Sequence, residues 1–167
     1  MEGEQKMASL NVVFARIDNR LMHGIVMTQY FPSTGAKRIM VVDDEIASNP
    51  ARKEMMNLAK PNGVASSIIT WEKAKENILA DKYGQQTIFL LAKSPVTINE
   101  IMKLGIKIDK LIIGCTDLLG EGHKLSDRAY VTDEELQAMR EIRDKGCKIV
   151  VQHNPQTPQV DVWSIVK

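Results

Sequence analysis

The sequence predicts an α/β fold, a single domain of three layers (α/β/α) around an open, mostly parallel sheet. Three observations predict it. Apolar runs such as Lys37-Arg-Ile-Met-Val-Val42 and Gln86-Thr-Ile-Phe-Leu-Leu-Ala92 show no polar alternation, as expected of strands covered on both faces. Amphipathic stretches with helix-start signals lie between those runs, the order of a parallel sheet with helices on both faces. The 167 residues are enough for one sizeable core and contain no repeat, low-complexity segment or linker that divides them.

The elements follow in order along the chain. Residues 1–9 are expected as a flexible extension ahead of a domain over residues 10–167; Met7 is either an alternative start or the end of a frayed lead. Leu10 to Ala15 is a first strand, running into the charged stretch Arg16-Ile-Asp-Asn-Arg20. Met22 to Tyr30 suits a short helix stopped by Pro32. Lys37 to Val42 is a second strand ending in Asp43-Asp44. Ser48-Asn49-Pro50 then starts a helix, with Pro50 where a missing backbone donor is harmless. Val64 to Thr70 is a third strand, Trp71 to Ala80 a helix, and Gln86 to Ala92 the clearest buried strand. Ser94-Pro95 caps the next helix, whose apolar stripe is Ile98, Ile101 and Met102 and which Gly105 closes. Asp109 to Gly114 is a fifth strand. Thr132-Asp-Glu-Glu135 has capping-box spacing, and its helix turns Leu136, Met139 and Ile142 inward before Gly146. Cys147 to Gln152 is a further strand, and Val160 to Val166 a short last element of either type.

Composition excludes several classes. Hydrophobic residues make up 44% and charged residues 26%, an ordinary globular balance. A net charge of +1 offers no electrostatic case for nucleic acid. No apolar run approaches the roughly 20 residues of a membrane-spanning helix. Met1 to Lys6 is polar and acidic, unlike a signal peptide. Cys115 and Cys147 lack metal or redox spacing and suit a reduced, cytoplasmic setting, and nine methionines read as core filler rather than a copper site.

Ligands of open α/β sheets gather beyond the carboxyl ends of the strands. The loop after the first strand is expected to hold Arg16, Asp18, Arg20 and His23; that after the second, Asp43, Asp44 and Glu45; that after the fifth, Gly114-Cys-Thr-Asp117. The first is the dense one: two guanidinium groups, a carboxylate and an imidazole within eight residues, followed by Gly24. A neutral imidazole is a nucleophile near neutral pH, and a guanidinium fork matches a phosphoryl group. Gly24 lets backbone amides approach the same point. Asp18 can orient Arg20 or hold the imidazole tautomer. Such a cluster also has a plain reading, a capping histidine beside a solvated charged loop. Cys115, at a strand end, is a rival nucleophile. His23, His123 and His153 lack the close pairs of usual zinc sites, with His123 expected in a solvated loop and His153 in a turn. The glycines near 114 to 122 match neither a Walker loop nor a dinucleotide fingerprint. No metal or cofactor is expected.

The block Arg16-Ile-Asp-Asn-Arg-Leu-Met-His23-Gly-Ile-Val26 resembles the signature Arg-Ile-Asp-x-Arg-Leu-x-His-Gly-Gln-Val of the mannose/fructose/sorbose-family IIB components of sugar phosphotransferase systems (PTS). The resemblance continues through Arg38 to Glu45, Ala51 to Pro61, Leu104-Gly-Ile, Ile113-Gly114 and Val131 to Gly146, nearly the whole chain from Leu10 onward. It implies an enzyme of phosphohistidine chemistry. His23 would accept a phosphoryl group on Nδ1 from a IIA phosphohistidine and donate it to a sugar carried by the membrane subunits IIC and IID. By the same resemblance Arg20 stabilises the phosphoryl group and Asp18 orients the site, while Arg16 and Gly24 rank below them. The implied location is cytoplasmic, at the inner face of the membrane through IIC/IID.

One departure stands out: Ile25 replaces the family's usual Gln, removing a possible hydrogen bond worth on the order of 1 kcal/mol. The alternative is a non-catalytic regulatory or sugar-phosphate-binding paralogue with the same fold. IIA and IIC/IID must dock around His23 in turn, so a shallow surface and modest, polar interfaces are expected. Neither the sugar nor the oligomeric state is specified, a homo-oligomer included.

Overall fold

Residues 8–167 are described by a computed structural model in which each apolar run of the sequence is a strand. The chain runs β1 (Asn11–Asp18), β2 (Arg38–Val42), α1 (Asp44–Ala47), α2 (Pro50–Asn57), β3 (Ala65–Ile69), α3 (Trp71–Leu79), β4 (Thr87–Ala92), α4 (Pro95–Met102), β5 (Lys110–Cys115), β6 (His123–Ser126), β7 (Ala129–Val131), α5 (Asp133–Asp144), β8 (Lys148–Val151) and β9 (Val160–Asp161). The seven-stranded sheet has the order β3-β2-β4-β1-β5-β8-β9, parallel except for β9, which pairs antiparallel with β8 at the edge.

The alternation of side chains within each strand separates the layers. Met40 and Val42 of β2, with Ile88 and Leu90 of β4, face α3, α4 and α5. Ile39, Val41, Phe89 and Leu91 face the opposite layer, built from residues 21–36, α1 and α2. Phe89 is fully buried, stacked on Phe14 at 4.3 Å between ring centroids. Burial of such a side chain contributes about 1.5–3 kcal/mol.

The helix starts obey their capping signals. Asn49 accepts from Arg52 N, Thr70 from Lys73 N and Ser94 from Val96 N. Thr132 and Glu135 form the reciprocal capping box at α5. Each such cap contributes about 1 kcal/mol.

Four expectations need correction. Arg16 and Asp18 belong to β1, not to a loop, because pairing with β4 and β5 continues to the Asp18–Cys115 partners and the two opposite charges satisfy each other there. The helix expected over Met22 to Tyr30 begins only at Gly24 and closes as a π-helical turn, Val26–Tyr30, with Phe31 N bonded to Val26 O. Pro32 has no N–H to extend an α-helix and sits inside a following 3₁₀ turn, Phe31–Ser33. His123 is not in a loop: it begins β6 of a β6–β7 hairpin, a pair too short for strand periodicity to reveal. The last segment splits into β9 and a 3₁₀ turn, Val162–Ser164. Of the expected extension, residues 1–7 lie outside those described; Ala8 packs against the core and Ser9 donates to Asp81.

The topology singles out one place for a site. The chain leaves β1 for β2 on one side and leaves β5 for β8 on the other, so the connections diverge beyond the carboxyl ends of β1 and β5. Crevices of this kind are where ligands of open α/β sheets bind.

Candidate active site

The site is built where β1 stops. Asn19 N bonds to Cys115 O at 2.9 Å and Leu21 N to Asp18 O at 3.0 Å, making a tight turn at the sheet edge. Leu21 is fully buried with φ +57°, a left-handed conformation costing roughly 1–2 kcal/mol for a leucine. Its burial holds the chain in this turn, which sends Arg20 outward and brings His23 back over Asp18.

Asp18 is the hub. Its Oδ1 accepts from Arg20 N at 3.0 Å and Arg20 Nε at 3.4 Å, and lies 3.3 Å from His23 Nε2. Its Oδ2 faces Arg16, with guanidinium distances of 3.2 and 3.3 Å. The carboxylate is fully buried. Burial alone pushes its pKa up, but the contacts with His23, the Arg20 amide and Arg16 outweigh it and bring it to about 2. The His23 contact lies off the ring N–H axis, so it is a close electrostatic approach rather than a fully formed hydrogen bond. Nε2 is buried against the carboxylate, while the His23 side chain as a whole keeps 17% exposure.

Arg16 lies beneath. It is fully buried and donates to Gln152 O at 2.9 Å and His153 O at 2.7 Å, with Tyr30 stacked 4.6 Å away. Gly114 makes room for it, since a Cβ there would overlap the guanidinium. Arg16 is therefore a structural tie between β1 and the loop after β8.

Arg20 is different, with 42% of its side chain exposed and its Nη2 donating to Cys115 Sγ at 3.6 Å. Cys115 in turn lies 3.4 Å from His153 Nδ1. Burial and the Asp18 charge push the Cys115 thiol up, and burial raises Cys147 to about 12, so neither favours the thiolate. Burial and the charges of Arg128, Arg20 and Arg16 lower the His153 pKa.

Gly24 is exposed, and nothing lies within 4 Å of where its Cβ would be. Beside it, Met22, His23, Ile46, Arg52, Met55, Met56 and Ala59 line an open groove of about 420 Å³. Ile25 is half-buried at the start of the π-helical turn.

The structure thus brings Arg16, Asp18, Arg20 and His23 together. The acidic residues after β2 are separate and structural, and Asp44 and Glu45 lie in α1 rather than in a loop: Asp43 caps α1 through Ile46 N, Asp44 accepts from Trp71 N, and Glu45 pairs with Arg52. His123 pairs with Asp133 at 2.6 Å. Sequence reading missed Gly114 as a space-maker and the Cys115–His153 contact. The strand-end position of Gly114-Cys115 was a visible signal for the first; nothing local links residues 115 and 153.

The fold agrees with what known proteins show. The family described as "PTS system sorbose subfamily IIB component" matches residues 12–167. The N-acetylgalactosamine-specific phosphotransferase enzyme IIB component 1 of Escherichia coli (strain K12) is 30% identical over 150 residues, covering 89% of this chain and 94% of that protein. The fructose-specific EIIB component of Bacillus subtilis (strain 168) is 27% identical over 158 residues, covering 95% and 97%. The mannose-specific EIIAB component of Escherichia coli (strain K12) is 25% identical over 152 residues, covering 91% of this chain and 47% of that one. The crystal structure of the IIBSor domain of the sorbose permease from Klebsiella pneumoniae superposes with a TM-score of 0.85 at 25% identity, covering 94% of this chain and 96% of that one. With its family match running from β1 to the last residue, the chain belongs to the sorbose-subfamily IIB components of the PTS.

Proposed function

We propose that this IIB component is a phosphocarrier in which Nδ1 of His23 receives a phosphoryl group from a IIA phosphohistidine and passes it to a sugar translocated by IIC/IID. The observation that carries this reading is the 3.3 Å approach of Asp18 Oδ1 to His23 Nε2. A carboxylate there favours the tautomer with its proton on Nε2 and leaves the Nδ1 lone pair as nucleophile. As Nδ1 bonds to phosphorus, the bond from phosphorus to the donor imidazole breaks and its electron pair returns to that ring. The positive charge left on His23 is stabilised by Asp18. In the second half, a sugar hydroxyl oxygen attacks phosphorus, Nδ1 leaves with its electron pair, and the hydroxyl proton goes to a base outside this chain.

Arg20 supplies the exposed cation for the phosphoryl oxygens, held beside Asp18 at 3.4 Å. The open groove beside His23 suits a macromolecular donor better than a deeply enclosed small molecule. A relative named as an EIIAB component joins A and B units in one name, which supports IIA as that donor. Among the described residues no helix is long and apolar enough to cross a membrane, in keeping with a peripheral cytoplasmic subunit. A non-catalytic regulatory relative has no need of an exposed Arg20 tied to the carboxylate that faces His23.

The test is incubation with phosphoenolpyruvate, the two general PTS proteins and a cognate IIA, followed by intact-mass and peptide mapping. One acid-labile phosphoryl group on His23, lost in His23→Ala and kept in His123→Ala and His153→Ala, is the expected result. Failure of the wild type to accept phosphate from a charged IIA would leave the regulatory reading.

A further inference from the structure

We infer that Cys115 and His153 form a relay that holds the Arg20 guanidinium beside Asp18, making His153 a positioning residue for phosphoryl transfer; this rests on the roles given above to His23 and Arg20. The geometry is a chain of three contacts. Arg20 is bound through Nε to Asp18 at 3.4 Å and through Nη2 to Cys115 Sγ at 3.6 Å, and that sulfur lies 3.4 Å from His153 Nδ1. His153 is itself anchored, because its carbonyl accepts from the buried Arg16 at 2.7 Å.

The direction of the relay follows from donor and acceptor chemistry. Arg20 only donates, so sulfur accepts from it. A thiol sulfur is a weak acceptor, but it strengthens when its own S–H is given onward to a base. His153 Nδ1 is that base when the ring is neutral with its proton on Nε2. The surroundings favour this arrangement at both ends. Cys115, at the end of β5, is buried beside Asp18 and keeps its proton. Burial, and after it the charges of Arg128 in the β6–β7 turn and of Arg20 and Arg16 from β1 and its turn, disfavour protonation of the imidazole, with Asp18 as the opposing charge. The hairpin is fixed there by Thr116 N to Arg128 O at 3.0 Å and Tyr130 N to Thr116 Oγ1 at 2.9 Å. A partly exposed arginine would otherwise sample many rotamers, and the relay removes that freedom before the phosphoryl group arrives.

The experiment is single-turnover transfer from phosphorylated IIA, with IIA concentration varied, for wild type, His153→Ala, Cys115→Ala and Cys115→Ser, each also in an Arg20→Ala background. His153→Ala and Cys115→Ala are expected to slow the maximal rate about tenfold with half-saturation by IIA unchanged. Cys115→Ser, whose hydroxyl can accept and donate in the same way, recovers most of the rate. Neither alanine change has a further effect once Arg20 is alanine, because they act through it. An unchanged rate in His153→Ala, or an equal loss in the Arg20→Ala background, overturns the relay. Nitrogen-15 NMR of the histidine-labelled, unphosphorylated protein gives a readout free of transfer: His153 Nδ1 should resonate as an unprotonated acceptor at neutral pH, and a protonated Nδ1 overturns the inference. Wild-type protein that takes no phosphate on His23 from charged IIA removes the phosphocarrier reading and this role together. Normal His23 labelling of the wild type, with the single-turnover rate unchanged in His153→Ala, removes the relay alone.

Discussion

Asp18 Oδ1 lies 3.3 Å from His23 Nε2, and the carboxylate that makes this approach is fully buried. The same group faces Arg16 on its other oxygen, so one side chain joins the floor of the site to the His23 imidazole. Replacing Asp18 by asparagine keeps the shape and removes the charge. Phosphoryl acceptance by His23 is expected to fall about a hundredfold, as orientation and charge stabilisation are lost together. Rapid-quench labelling from phosphorylated IIA measures it, and a loss of less than about twofold would remove Asp18 from the mechanism.

The same carboxylate sets an acid limb of stability. Its pKa is depressed from 3.8 to about 2 in the folded chain, so its contribution is present above the unfolded value and lost as pH falls through the folded one. The shift corresponds to about 2 kcal/mol. Urea unfolding should therefore show a gap between wild type and Asp18→Asn at about pH 6 that narrows as pH falls from about 4 towards 2. A gap constant across that window would mean the carboxylate is not held charged by its neighbours.

Arg16 and Arg20 should separate cleanly. Arg16→Met leaves Asp18 without its buried partner and Gln152 O and His153 O without their donor, and should cost about 3–5 kcal/mol. Arg20→Ala removes a part-exposed side chain and should change stability by less than about 1 kcal/mol while slowing phosphoryl transfer severalfold or more. Paired denaturation and transfer assays decide it; the opposite pattern would exchange their roles.

Two glycines offer a similar contrast. Gly114→Ala puts a methyl group into the Arg16 guanidinium and should destabilise by about 1–3 kcal/mol. Gly24→Ala meets open space and should leave the melting temperature unchanged. If partners approach His23 over Gly24, that variant nevertheless accepts phosphate more slowly from IIA. Thermal unfolding and the labelling assay together check both statements.

The thiols should be quiet. Cys147 is buried with its pKa pushed up to about 12, and Cys115 is raised in the same direction. Brief iodoacetamide treatment of the folded protein at neutral pH, read by peptide mass, should modify neither. Rapid alkylation of Cys115 would revive it as a nucleophile.

Much of this was legible in the chain. Strands covered on both faces must be apolar throughout, so β2 and β4 announced themselves, and caps at Ser94 and Thr132 needed only local hydrogen bonds. The spacing of Arg16, Asp18, Arg20 and His23 was also visible, because residues gathered by one turn are close in sequence. The hairpin of β6 and β7 was not visible, since three or four residues are too few to show a period of two. Nor was the end of β1, where charged residues that look like a loop continue as strand because their charges pair.

By itself, the sequence determined the layered parallel fold and the set of groups able to carry a phosphoryl chemistry, because both rest on local periodicity and short spacing. Only the tertiary structure decided which arginine is buried and which is part-exposed, and it alone brought Cys115 and His153 together beside Arg20. Those choices depend on strand register and on the return of the chain after β8 to the end of β1. Contacts between residues far apart in sequence are settled when the sheet closes over its core, and no local pattern encodes them.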